Sequence, residues 1–238
     1  MMRQRKTAKN EEGEQVKERM DKVIKAVIFD MDGVLIDSEE EYLKYELAFV
    51  RTKNPNATME QLYGMVGSSR EDAWACVARA VNNGQTWEEL RKEYQDSFQG
   101  KSVFERVDYT EIFCKEAKLV LEKLRDRGYA LALASSTQIE VIQHVLRVNH
   151  IEQYFQVVVS GTQFKRSKPD PEIYHFTSMR LGVREEECFV VEDSTFGVTA
   201  ASRAGMTVAA VIDDRFGFDQ SLADYRIRSL TEILEILP

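Results

Sequence analysis

Four short segments, far apart in the chain, carry side chains that chemistry could use: Asp30-Met31-Asp32-Gly33 running on to Asp37-Ser38, Ser135-Ser136-Thr137, Lys168-Pro169-Asp170-Pro171, and Glu192-Asp193-Ser194. Each has a plain structural use by itself. Asp-Gly makes turns, Ser and Thr cap helices, and proline starts them. Their combination points elsewhere. Carboxylates at 30, 32 and 193 would repel one another if they converged, and a hard cation between them removes that cost. Mg2+ is the expected occupant, because it takes one or two protein carboxylates and completes its shell with water and phosphate oxygens. Hydroxyls and backbone N–H groups at Ser135 and Ser136, ahead of a helix, would donate to phosphate oxygens. Lys168 would add a compact positive charge. In such a site Asp30 can attack phosphorus and form an aspartyl-phosphate. Asp32, two residues on, can give a proton to the leaving alcohol and later take one from water. Crowded acids raise one pKa of their set, which would let Asp32 hold that proton.

The elements that must position these residues are legible as apolar runs. Five occur: Ala26–Phe29, Tyr129–Ala134, Val157–Val159, Cys188–Val191 and Val208–Ile212. They are continuous rather than alternating, as strands buried on both faces are. Helical patterns lie between the later ones: Phe113, Ala117, Val120, Leu121 and Leu124, then Ile139, Ile142, Val145 and Leu146, then residues 171–181 and 195–204. The alternation predicts an α/β fold, a Rossmann-like parallel sheet covered by helices. In such a sheet a ligand sits beyond the carboxyl ends of the strands, where the four segments fall. About a hundred residues separate the first two strands, far more than one crossover needs. Leu43, Leu47 and Val50, then Trp74, Val77 and Val81, then a charged stretch near 86–99 make a small helical insertion the expectation. The expected division is a charged N-terminal arm over 1–24, a core domain of 25–37 and 113–238, and a helical domain over 38–112.

Composition narrows the function. The 238 residues include 40 acids against 32 Lys and Arg, a net charge of −8, which argues against a nucleic-acid partner. Cys76, Cys114 and Cys188 are widely spaced and odd in number, so reduced thiols are expected rather than disulfides or a zinc site. No apolar run approaches the roughly 20 residues that span a bilayer, and the N-terminus lacks the apolar stretch of a signal peptide. We expect no membrane partner and a cytoplasmic protein, with a monomer as the default; the four segments above, not the composition, point to a phosphate ester, a small phosphorylated metabolite, as ligand.

The segments DMDGVLIDS, ALASS, SKPDPEIY and VVEDSTFGVTAASRAGM resemble the four motifs of the haloacid dehalogenase (HAD) superfamily, in its phosphatase and β-phosphoglucomutase-like branch. The resemblance spans residue 25 to about 212. It implies a HAD fold with a helical cap inserted after the first strand. It also implies that Asp30 is the nucleophile, that Asp32 is the general acid/base and binds Mg2+ through its backbone carbonyl, and that Ser135 and Lys168 bind phosphate. Asp193, with Glu192 beside it, takes the place of the acidic metal ligands. Gly67-Ser68-Ser69-Arg70 resembles the β-phosphoglucomutase segment whose arginine grips a second phosphate, so Arg70 is a candidate substrate clamp. Three positions depart from those mutases: Tyr42 stands where they carry a histidine, and Lys115-Glu116 stands where a Pro-Gly pair is usual. The expected function is Mg2+-dependent hydrolysis of a phosphomonoester, a sugar phosphate above all, with a β-phosphoglucomutase-like phosphomutase as the alternative. A non-catalytic receiver-like module, which would carry its acceptor aspartate after the third strand, is the second alternative; here Ser160-Gly161-Thr162 follows that strand.

Overall fold

Ala26-Val27-Ile28-Phe29 is buried at every position, and it forms the central strand β1 (Ala26–Phe29). The computed structural model describes residues 23–68, 70–97, 104 and 106–237. All but the last two residues of the charged arm lie outside them. After β1 come the helices α1 (Glu39–Arg51), α2 (Arg70–Val81), α3 (Trp87–Ser97) and α4 (Ala117–Asp126). Strands and helices then alternate: β2 (Ala130–Ser135), α5 (Ile139–Val148), β3 (Val157–Ser160), α6 (Glu172–Leu181), β4 (Cys188–Glu192), α7 (Thr195–Arg203) and β5 (Thr207–Val211). The chain closes with β6 (Tyr225–Ile227) and α8 (Ile233–Ile236).

The six strands form one parallel sheet in the order β3-β2-β1-β4-β5-β6. The chain winds outward from β1 to β3, then crosses back to β4 and winds the other way. The switch point therefore lies between β1 and β4, where a doubly wound sheet leaves a crevice. Register makes the crevice local. Phe29 is level with Leu133 on one side and Val191 on the other, so the residues just past each strand emerge side by side.

Side chains alternate across the sheet with a period of two. Val27, Phe29, Leu131, Leu133, Phe189 and Val191 pack under α4 and α5, while Ala26, Ile28, Ala132, Ala134 and Val190 pack under α6 and α7. Both faces are covered, which is why these strands are apolar throughout. β6 is absent from the sequence-based expectation. It has three residues, two of them exposed, and it carries an arginine, so no apolar run marks it.

Between β1 and α4 the chain builds a third apolar cluster. Leu43, Leu47 and Val50 of α1, spaced by three and four, meet Val77 of α2 and Leu90 and Tyr94 of α3, with Leu62 of a 3-10 turn (Met59–Met65) beneath. The two strands of chain leading into and out of this insertion pair briefly: Ile36 bridges Phe113, Asp37 N–H donates to the Ile112 carbonyl at 2.9 Å, and Cys114 N–H donates to that of Leu35 at 2.9 Å. Phe113 thus belongs to this pairing rather than to the helix after it. Cys76, Cys114 and Cys188 are free thiols. No helix among the described residues is long and apolar enough to cross a membrane.

Candidate active site

Asp30 is the first residue past β1, and its N–H still donates to the Val191 carbonyl at 2.9 Å, so the sheet itself sets its backbone. Lys168 arrives from the turn before α6. Its ammonium donates to Asp30 Oδ1 at 2.6 Å, to Glu192 Oε1 at 2.6 Å and to the Ala134 carbonyl at 3.1 Å, which uses all three of its protons. All three side chains of this triad are buried. Burial opposes the lysine charge, yet Asp30 and Glu192 outweigh it and hold the ammonium well above its ordinary range.

Glu192 is the most enclosed acid of the site. The Tyr174 hydroxyl of α6 donates to Oε1 at 2.6 Å, and the Asp193 N–H donates to Oε2 at 3.1 Å. The carboxylate lies against the backbone of Gly197, where a Cβ would come within 1.9 Å of it. Asp193 is pressed in the same way against Gly33, whose φ of +75° and lack of a side chain are both required; a Cβ there would stand 2.0 Å from Asp193 Oδ2.

Carboxylate oxygens of Asp30, Glu192 and Asp193 lie within 4.8 Å of one another, and all three residues are buried. Burial pushes Asp30 up to about 8, with Lys168 working against the rise and Glu192 and Asp32 adding to it. Burial also holds Asp193 well above the carboxylate range, helped by Glu192 and Asp30. A hard divalent cation fits this donor set: it is all oxygen and close-set, and it gathers three buried carboxylates against the single Lys168 ammonium.

The Asp32 carboxylate is held outside that cluster. Ser38 Oγ donates to its Oδ1 at 2.5 Å, and Thr137 Oγ1 donates to its Oδ2 at 2.8 Å. Ser135 lies behind it, fully buried, with its hydroxyl 3.4 Å from Asp32 Oδ2 and accepting from the Thr137 N–H at 3.1 Å. The cleft itself is lined by Ser136 and Thr137 rather than Ser135. The helix that follows starts at Ile139, where the apolar spacing places it.

The cleft encloses about 370 Å3. Asp30, Asp32, Asp193 and Lys168 line it, and Tyr42, Phe104, Phe196 and Phe218 add aromatic surface. One further acid lines it. Glu39 opens α1 beside Glu40 and Glu41. Burial pushes Glu39 up to about 8, with Asp32 and Asp30 adding to the rise. Sequence reading passes over it because acids in a first helical turn ordinarily face solvent and favour the helix dipole. Tyr174 escapes notice for a similar reason, since a tyrosine in a helix commonly packs in a core. Gly67 and Ser68 reach the cleft, but the Arg70 side chain lies outside the described residues.

A family model described as haloacid dehalogenase-like hydrolase matches residues 27–211. The chain belongs to this family. The HAD chain is 34% identical over 184 residues to a phosphorylated carbohydrates phosphatase of Thermotoga maritima, covering 77% of this chain and 82% of that one. It is 28% identical over 220 residues to hexitol phosphatase B of Escherichia coli, covering 88% and 94%. Among solved structures, a Thermotoga maritima protein named as a candidate β-phosphoglucomutase superposes with a TM-score of 0.70 at 30% identity, over 90% of this HAD chain and 98% of its own. The α/β sheet described above is the HAD fold.

Proposed function

We propose that this chain is a Mg2+-dependent phosphomonoesterase of a small phosphorylated carbohydrate, acting through an aspartyl-phosphate on Asp30. The observation that carries the reading is the separation of two neighbouring aspartates. Asp30 sits in the buried cluster with Lys168, whereas Asp32 is held by hydroxyls beside it. One is placed to attack and the other to move protons. The name of the 34% identical relative supports a carbohydrate phosphate as substrate.

Asp30, Glu192 and Asp193, with the Asp32 backbone carbonyl, would hold the Mg2+. When bound, the ion offsets the repulsion of these acids and polarises a phosphoryl oxygen. Ser136 orients the phosphoryl group, with Thr137 lining the cleft beside it, Lys168 supplying positive charge next to Asp30, and Ser135 fixing the loop from behind. Asp30 attacks phosphorus as Asp32 gives its proton to the departing alcohol, and Asp32 then takes a proton from the water that releases phosphate. Residues 38–112 form the cap, which excludes bulk water during the first step. The acidic chain acts as a cytoplasmic monomer on a free metabolite, not on nucleic acid.

Phosphate release from a panel of sugar phosphates, hexitol phosphates, phosphoglycolate and nucleotides, with Mg2+ or with EDTA, tests this. Asp30→Asn is expected to lose turnover while keeping its fold by circular dichroism. Near-normal release by that variant would sink the assignment. The likeness to the candidate β-phosphoglucomutase favours a second reading, phosphoryl transfer back to another sugar hydroxyl, with Arg70 gripping the distal phosphate. β-Glucose 1-phosphate with a trace of bisphosphate separates the two, since a mutase yields glucose 6-phosphate and a phosphatase yields free phosphate.

A further inference from the structure

The loop joining β5 to β6 is built as a strap between the acidic end of the site and the helical insertion. Gln220 anchors it below: its buried amide donates to the Asp193 carbonyl at 2.5 Å and to that of Val211 at 2.7 Å. The Asp219 N–H donates to Thr195 Oγ1 at 2.8 Å. Arg215 anchors it above. The guanidinium grips Asp37 with both terminal nitrogens, at 2.8 and 3.0 Å, and reaches Glu40 of α1 at 3.2 Å, while Asp213 braces it from within the loop at 2.6 Å. Phe216 stands edge-on to Tyr63 of the insertion, with ring centroids 5.5 Å apart, and packs on that domain's apolar cluster.

These anchors fix Phe218 at the cleft. Its ring presses on Gly67, where a Cβ would come within 3.0 Å, and it stacks obliquely on Phe216 at 5.7 Å. Phe196, in the first turn of α7, reaches the same cleft and is 36% exposed. An aromatic ring left partly open to water in a cleft gains by covering its face with apolar surface. The C–H face of a sugar ring supplies such surface, and an open polyol chain presents it less well because its hydroxyls rotate.

We propose that the strap is a specificity element of the phosphatase: Phe218, with Phe196, packs on the ring of a cyclic sugar phosphate, and Arg215 is the positioning residue that holds Phe218 there. This rests on the phosphomonoesterase reading above. The test compares glucose 6-phosphate with sorbitol 6-phosphate, alike in carbon count and phosphate position, on wild type, Phe218→Ala, Phe218→Leu and Arg215→Ala. Wild type should prefer the ring. Phe218→Ala should lower the ratio of kcat/KM, ring over open chain, about tenfold, mostly through KM for the ring substrate. Phe218→Leu, which keeps apolar bulk without an aromatic face, and Arg215→Ala should lower the ratio less. A ratio unchanged in all three variants, an equal loss on both substrates, or a wild type active only on open-chain phosphates overturns the proposal and leaves the phosphatase intact. A wild type that releases phosphate from no member of the panel overturns the function itself, and this inference with it.

Discussion

Two buried acids and one lysine set the energetics of the site at the scale of single residues. Lys168 satisfies Asp30 and Glu192 together, so removing it strands two carboxylates away from water. Breaking a buried pair from one side costs about 3–5 kcal/mol. Lys168→Ala should therefore lower Tm by roughly 10 °C, as well as abolish phosphate release. A Tm within about 2 °C of wild type would contradict the triad, and differential scanning calorimetry reads it. Gly33→Ala is a sharper probe because it leaves every charged group in place. The added methyl must displace the Asp193 carboxylate from 2.0 Å and adopt a φ of +75°. Mg2+ affinity, read by titration calorimetry, should fall by at least about tenfold. The motif residues can be read from the chain because each lies directly after an apolar run or at a proline-marked turn. Glu39 cannot, since nothing local separates it from Glu40 and Glu41, which sit on the same turn.

At the scale of elements, α1 joins the cleft to the interior of the cap. Glu39 and Tyr42 face the cleft, and Glu46, one turn further along, enters the cap, where the Tyr94 hydroxyl of α3 donates to its Oε1 at 3.0 Å. The other oxygen is buried with no partner among the described residues. Burial pushes Glu46 up to about 7 from an ordinary 4.5, with the Tyr94 bond pulling the other way. The folded state therefore keeps a proton that the unfolded chain has lost between those values. The associated stability is full below about 4.5 and is lost as pH rises through 7. Glu46→Gln removes the charge and keeps the acceptor for Tyr94. It should match wild type at about pH 4.5 and exceed its Tm by several degrees at about pH 8, as for up to about 3 kcal/mol in a chain of this size. An equal Tm at both pH values would show that Glu46 ionises freely. The cap helices are legible from their three-and-four spacing; β6 is not, being short and largely exposed at the sheet edge.

For the molecule as a whole, a net charge of −8 resolves into two populations. Many acids sit at the surface, while Asp30, Glu192 and Asp193 converge in the interior. Mg2+ binding to the folded state alone should raise Tm by about 5–10 °C at roughly a hundred times its Kd, near 2.7 kcal/mol. EDTA should reverse the gain, and Asp193→Asn should shrink it. A Tm indifferent to Mg2+ would separate the acidic cluster from any metal role.

The order of the apolar runs, with the polar residues placed directly after them, was enough to bring Asp30, Lys168, Glu192 and Asp193 to one crevice, because parallel strands in a doubly wound sheet end on the same side. Tertiary structure alone decided which oxygen meets which donor: that Asp32 is held by Ser38 and Thr137, that Tyr174 supports Glu192, and that Ser136 rather than Ser135 lines the cleft. It alone laid Arg215 on Asp37, 178 residues earlier. Periodicity reports which face of an element is buried, and such contacts depend on where separate elements come to rest against one another.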